Sequence, residues 1–247
     1  MWQTDTKVYF CGMDVSDFLH NGHKSYLPNL SLDHVILGYE EGQLKCLLLQ
    51  TNERWNLPGG LIKRTESVEE AVDRVLQERT GLSHGHREFL SVFGKQDRSF
   101  AQQWKQMLES YKLEWKPEFW INDRFVTLGY YSLVNIRDVE PVKGEYNQDI
   151  AWFSLQDLPE MWMDHKDIAL FAHEKLKRDI KEQMASHYLL NSEFTMPELH
   201  QLHQTILEQE LDRSRFQKKM LSSGKFERLP QKKTDKPGRS PFQYRAK

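Results

Sequence analysis

Cysteine is nearly missing from this chain: Cys11 and Cys46 are the two in 247 residues. Two thiols make neither a disulfide framework nor a zinc cluster, and both read as reduced groups of a cytoplasmic protein. Long apolar runs are missing too. Cys46-Leu47-Leu48-Leu49 is among the longest, far short of the roughly 20 residues that cross a bilayer, so no membrane partner is expected. Met1–Lys7 has no basic stretch leading into an apolar one, and no secretion signal is expected. No internal repeat is visible. What is present suits a globular protein: 38% apolar and 12% aromatic residues, enough for a sizeable core. The length fits one domain of about 150 residues with a smaller companion.

Charge is distributed unevenly. Residues 211–247 hold 12 Lys/Arg against 3 Asp/Glu, a balance of +9, while the whole chain is −2, so residues 1–210 carry −11. A short basic module on an acidic body has the electrostatics of a nucleic-acid-binding appendage, because neutralising phosphates releases counterions. A solvated basic tail is the alternative.

Apolar runs at Leu32–Tyr39 and Gln43–Gln50, separated by Glu40-Glu41-Gly42, predict a β-hairpin. Val68, Ala71, Val72, Val75 and Leu76 fall on one helical stripe that ends at Gly81. Arg124–Val134 and Ile150–Phe153 read as strands, Gln102–Lys112 as an inserted helix, and Ile168–Met184 as a connector helix. Thr195 and Pro197 predict a helix start, as does Asp212 ahead of Arg213–Leu221. Two closely spaced helices, the second basic, followed by a basic Gly/Pro-containing segment, predict a winged helix-turn-helix. Arg213, Arg215, Lys218 and Lys219 are its candidate DNA contacts on the recognition helix. Lys225, Arg228, Lys232, Lys233, Lys236 and Arg239 are candidates on the wing, with Gln231–Ser240 as the wing loop. The His200 and His203 pair reads as surface rather than as a metal site.

From Gly60 the chain runs through five residues to Glu66, then through seven to Arg74-Val75-Leu76-Gln77-Glu78-Arg79-Thr80-Gly81-Leu82. This resembles the Nudix box, Gly-x5-Glu-x7-Arg-Glu-U-x-Glu-Glu-x-Gly-U with U a bulky apolar residue, and Leu57-Pro58-Gly59-Gly60 matches the residues before it. The resemblance implies an α/β/α sandwich with a mixed sheet. It also implies a helix whose carboxylates hold magnesium on a diphosphate. Two of those carboxylate positions are Val75 and Arg79 here. Glu78 survives, while Glu66 and Arg74 are expected to form the ion pair that holds the loop. An arginine in a metal site repels a divalent cation and can take its place. No cofactor and little hydrolysis are therefore expected. Should activity remain, Mg would rest on Gly59 and Glu78, with Glu66 and Arg74 in support; Glu69, Glu70, Asp73, Glu145 and Asp149 are replacement carboxylates.

A degenerate Nudix domain joined to a winged helix resembles the Nudix-related transcriptional regulators, including the sugar-responsive arabinose-type regulators of Bacteroidetes. Phe93-Gly94, Asp97-Arg98, Gly129–Val134, Ala151–Phe153 with Asp157-Leu158-Pro159, and Asp164-His165 belong to that resemblance. It implies a regulator of a double-stranded DNA operator that senses a small sugar or a nucleotide sugar such as ADP-ribose; a homodimer is expected because winged-helix regulators commonly act as symmetric dimers on two half-sites. The effector residues expected from position are Trp55, Asp97, Arg98, Arg124 and Tyr130. The corresponding division is an N-terminal extension (1–30), a Nudix domain (31–160), a connector helix (161–187) and a winged helix (188–247). A Nudix hydrolase cleaving a nucleoside diphosphate linked to another moiety is the competing reading. An RNA- or protein-binding adaptor built on an inactive Nudix fold is the third.

Overall fold

The computed structural model describes residues 9–10, 13–82, 86–142, 147–182, 185–230 and 241–247. The chain begins with β1 (Tyr9–Phe10), β2 (Met13–Asp14) and α1 (Val15–Ser25). There follow β3 (Tyr26–Glu40), β4 (Gln43–Thr51), β5 (Arg54–Asn56), β6 (Gly59–Lys63), α2 (Val68–Thr80) and β7 (His86–Phe93). Next come α3 (Ala101–Ser110), β8 (Val126–Leu133), β9 (Asp149–Ser154) and the long helix α4 (His165–Glu182). The chain closes with β10 (Phe194–Thr195), α5 (Met196–Leu207), α6 (Arg213–Ser222), β11 (Phe226–Arg228) and β12 (Gln243–Ala246). Among the described residues no helix is long and apolar enough to cross a membrane.

The expected hairpin is β3–β4. Its turn residues Glu41 and Gly42 both take positive φ, 52° and 78°, the left-handed pair that matches the twist of two antiparallel strands. β3 starts earlier than its apolar run predicts, because Tyr26–Asp33 pairs with β6 while Leu37–Glu40 pairs with β4. Along its other edge β3 runs parallel to β8. Residues 13–30, set apart in sequence as an extension, thus build β2, α1 and the first part of this central strand.

Alternation along β3 assigns its two faces. Leu32, His34 and Ile36 face α2, where they meet Val72, Val75 and Leu76. Val35 and Leu37 face the opposite side and join α4 through Ile168, Ala169 and Leu176. The result is the α/β/α sandwich with a mixed sheet that the sequence implied. A Ser67/Glu70 capping box starts α2, and Gly81 ends it at φ 70°.

The C-terminal helices form as their caps predict. Thr195 and Glu198 close a capping box with Pro197 in the first turn of α5, and Asp212 accepts the Arg215 amide at 2.7 Å. β10, β12 and β11 make a small antiparallel sheet beside them. His203 departs from its surface reading: it is buried, its Nε2 pairs with Ser186 Oγ at 2.8 Å, and its ring meets Phe216 edge-on. His200 bonds the Leu211 carbonyl instead, so each ring already has a separate partner.

One apolar core runs through both parts. α4 contributes Ile168, Leu176 and Ile180; α5 contributes Leu199, Leu202 and Ile206; Phe216, Met220 and Tyr244 extend it into the basic module. Polar contacts reinforce the joint, with His173 Nε2 on the Ile206 carbonyl (2.9 Å), Thr205 Oγ1 on the Gly42 carbonyl (3.2 Å) and Lys177 between Glu174 and Glu208.

Leu202→Ala should cost about 2–5 kcal/mol of stability. Because the core is continuous, urea unfolding followed by tryptophan fluorescence should show the loss, although all seven Trp precede residue 163. A fluorescence midpoint unchanged from wild type would mean two separate cores.

Burial lowers His34 and His203 from the ordinary 6.5 to about 4. A histidine depressed in the folded state adds stability that is present above pH 6.5 and lost as the pH falls toward 4, up to about 1.4 kcal/mol per pH unit for each ring. Denaturation midpoints at pH 7, 5.5 and 4.5 should fall in that order, and His203→Gln should flatten the trend.

Candidate functional site

The loop and helix that match the Nudix box are organised by Arg74. Its Nε and Nη2 hold the two oxygens of Glu66 at 2.8 and 2.6 Å, Nη2 also reaches the Leu61 carbonyl at 2.8 Å, and Nη1 pairs with Glu78 at 2.9 Å. Glu66 accepts the Lys63 amide as well, and its carboxyl is held below the usual range, chiefly by Arg74. Glu66 and Arg74 therefore build the loop. Val75 is a core residue packed under Gly60, where an added Cβ would stand 2.9 Å from Val75 Cγ2.

These residues do not fit a divalent metal. The two contacts that the sequence left for one, the Gly59 carbonyl and Glu78, both receive guanidinium groups: Arg79 Nε donates to Gly59 O at 2.9 Å, and Arg74 takes Glu78. Most replacement carboxylates are engaged elsewhere. Asp73 pairs with Arg87, Glu70 caps α2, and Asp149 accepts the Ile150 amide; Glu145 lies outside the described residues.

A cavity of about 530 Å³ opens beside this element, where β3 leaves β4 for β6. Its polar lining is built on Arg98, a buried residue. Nε and Nη2 of Arg98 grip both oxygens of Asp164 at 2.8 and 2.9 Å, and Nη1 donates to Thr127 Oγ1 at 2.6 Å. Asp33 stands 4.0 Å from Arg98 Nη2 and 3.9 Å from His165 Nε2. The Leu57 amide donates to His165 Nδ1 at 3.0 Å, so a neutral ring carries its proton on Nε2, toward Asp33. Burial pushes the Asp33 carboxyl up, against the pull of His165 and Arg98. Gly59 has to be glycine, because a Cβ there would collide with Asp33 Oδ1. Asn147, 7% exposed, belongs to the same lining, and its buried Oδ1 has no hydrogen-bond partner among the described residues.

Aromatic side chains share the lining, Phe18, Phe100, Trp104, Tyr111, Phe125 and Trp162, and the Arg98 guanidinium lies 5.1 Å from the Phe100 ring centre. Such a chamber suits a ligand with a flat apolar part and a part rich in hydrogen-bonding groups.

Of the five effector residues expected from sequence, Arg98 is in the lining. Tyr130 follows Thr127 by three residues along β8, so period-two alternation turns it to the α2 face, where it stacks on His34. Trp55 packs its ring against Phe153 instead. Asp97 and Arg124 are exposed and outside the lining. Asp33, Asn147 and the aromatic residues Phe18, Phe100, Trp104, Tyr111 and Trp162 of the lining were missed. A single acid inside the apolar run Leu32-Asp33-His34-Val35-Ile36 was the signal that could have found the first.

In the basic module, Phe216 and Met220 face inward on α6. Arg213, Arg215, Lys218 and Lys219 are all exposed. Lys225 is exposed as well, and Arg228 lies 3.2 Å from the Phe242 ring centre, at the base of the β11–β12 hairpin. Lys232, Lys233, Lys236 and Arg239 lie outside the described residues, together with the wing loop Gln231–Ser240.

Fold and site together define a Nudix-type body carrying a winged helix. Residues 32–173, more than half of the chain, match the NUDIX domain family model, and the chain belongs to the Nudix family. Residues 186–246 match the family described as the NrtR DNA-binding winged helix domain. The chain is similar over both parts to the ADPR responsive transcriptional repressor NtrR of Acinetobacter baylyi, 24% identical over 87% of this chain and 82% of that protein. Among solved structures, Shewanella oneidensis NrtR complexed with a 27mer DNA is 26% identical, covers 88% of this chain and 93% of its own, and superposes with a TM-score of 0.67. The ADP-ribose pyrophosphatase of Methanocaldococcus jannaschii is 25% identical over 59% of this chain and 74% of that protein.

Titration with Mn2+, followed by the electron paramagnetic resonance of the free ion, should show no binding below millimolar concentration at pH 7. Submillimolar binding that Glu78→Gln abolishes would mean that the box still holds an ion, whereas binding lost in Glu174→Gln would place it at the His173, Glu174 and Glu208 group instead.

Proposed function

We propose that this protein is a transcriptional regulator that binds operator DNA through α6 and the wing, and that a nucleotide sugar, ADP-ribose or a close relative of it, sets that binding from the cavity. The observation that carries the reading is the placement of α4. Its first residue, His165, and the preceding Asp164 belong to the polar cluster of the cavity, while His173 and Lys177 further along hold α5. One helix thus touches both the effector chamber and the module that meets DNA.

Two further facts support it. Relatives similar over both domains carry the names of an ADPR responsive repressor and of a protein solved on DNA. The place of a catalytic metal is taken by Arg79 and Arg74, which favours sensing over hydrolysis even though one relative is a pyrophosphatase. On this reading Arg213, Arg215, Lys218 and Lys219 enter the major groove. Lys225, Arg228 and the wing-loop cations Lys232, Lys233, Lys236 and Arg239 meet phosphates. The protein works as a homodimer on two half-sites, as winged-helix regulators do.

Fluorescence anisotropy on the DNA upstream of its own gene, at two salt concentrations, tests this directly. Wild type should bind selectively, and Arg213→Ala with Arg215→Ala should weaken binding at least tenfold and reduce its salt dependence. ADP-ribose should change the affinity by about 5–150-fold. Binding indifferent to DNA sequence would defeat the regulator reading. Selective binding that ADP-ribose leaves unmoved would defeat the choice of effector.

A further inference from the structure

We propose that Arg79 does for a diphosphate ligand what a divalent cation does in an intact Nudix box: it supplies the positive charge that holds the diphosphate oxygens, so that the effector binds without metal. The inference rests on the effector reading above. It adds the residue that meets the phosphates and the independence of that binding from magnesium.

The misfit between box and metal is the starting observation. Position 79 is one of the two where the box pattern has a carboxylate and this chain does not, and Arg79 Nε donates to the Gly59 carbonyl at 2.9 Å. The guanidinium thus lies against the carbonyl left for a cation. α2 and β6 put it there. Val75 is buried under Gly60, where an added Cβ would stand 2.9 Å from Val75 Cγ2. Arg79 follows Val75 by four residues, so it lies one turn further along the same face and reaches the neighbouring glycine. Its place in the last turn of α2 also suits a cation, because the helix dipole is negative at that end. The arginine is therefore held in position before any ligand arrives.

The charge it holds belongs to the cavity. Gly59, Gly60 and Arg79 are all in the lining, and Arg79 is half-buried, which leaves side-chain surface for a ligand to touch. Asp33, Arg98 and His165 share the lining with it. Arg98 is 6% exposed and gives Nε and Nη2 to the two oxygens of Asp164, so its charge is balanced within the protein. The Gly59 carbonyl, by contrast, is uncharged, and its bond to Arg79 orients the guanidinium without neutralising it. A diphosphate taken out of water needs a compensating charge from the site that receives it. A guanidinium meets phosphate oxygens with a planar fork of N–H donors, a geometry that a point charge lacks.

Calorimetric titration of the full chain with ADP-ribose, once in EDTA and once in millimolar magnesium, tests this. Wild type should bind equally well in both buffers. Arg79→Gln, whose amide can still donate to the Gly59 carbonyl, should weaken binding at least tenfold in either buffer, the loss expected for a hydrogen bond between charged groups. Arg79→Glu, which returns a carboxylate to its box position, should bind more weakly still in EDTA and regain several-fold in magnesium. An arginine with a purely structural role would not leave that response behind. Wild-type affinity that rises with magnesium, Arg79→Gln as tight as wild type, or Arg79→Glu blind to magnesium would overturn the inference and leave the effector reading standing. The wild-type comparison decides by itself if a variant fails to fold. Should wild type bind ADP-ribose in neither buffer, the effector reading fails and this inference falls with it.

Discussion

A guanidinium with 6% exposure has to be paired on nearly every donor, because a buried charge without partners costs several kcal/mol. Arg98 meets that requirement by gripping both oxygens of Asp164 while bonding Thr127 on β8. The pairing places the start of α4 against the central sheet and closes the floor of the cavity with the same atoms. Removing one partner of such a pair costs about 3–5 kcal/mol. The polar lining of the chamber and the root of the helix that carries the winged module are therefore one object. α4 then runs 18 residues, about 27 Å at 1.5 Å per residue, with its buried face in the core shared by sheet, α5 and α6.

The Nudix helix shows how a fold outlasts its chemistry. The residues that shape the loop, Gly60, Glu66, Arg74 and Gly81, are all present and make the contacts that hold it. The positions that would hold a cation have moved to packing and self-pairing: Val75 fills the space under Gly60, and Arg79 covers the Gly59 carbonyl. Each change supplies what it removes. Val75 adds buried apolar area, and Arg79 brings its own positive charge to the carbonyl. Neither leaves an unpaired carboxylate cluster, so nothing in this element needs a metal to be stable.

How much was legible in sequence follows from the range of the interactions. α2, α5 and α6 announced themselves through apolar stripes and caps, Gly81, Thr195 and Asp212, which act within one turn. The β3–β4 turn did so through Glu41 and Gly42. The box placed the Glu66–Arg74 pair because its contacts are fixed by spacing along a single loop. The cavity was harder. Its lining joins Phe18, Asp33, Trp104, Asn147 and His165, residues far apart in the chain and brought together by sheet pairing. Period-two alternation turned Tyr130 away while Thr127, on the same strand, faced inward. His203, taken for a surface ring, is buried because α6 and the turn at Ser186 close over it, a tertiary fact that helical periodicity does not carry.

Coupling between cavity and DNA asks less of this geometry than the distance suggests. A ligand shifts a two-state protein only by the difference in its affinity for the two arrangements, however tightly it binds either. Allosteric couplings of about 1–3 kcal/mol are the size of one hydrogen bond to a charged group. Arg98 makes two such bonds to Asp164, and the Leu57 amide makes another hydrogen bond to His165 one residue later. A ligand oxygen that replaces one Asp164 oxygen on Arg98 would alter a term of the required magnitude at the root of α4. The close-packed joint with α5, tied by His173 and Lys177, would pass a small rotation of that root to α6 as a rigid-body displacement, since packed interiors shift between discrete arrangements instead of deforming continuously.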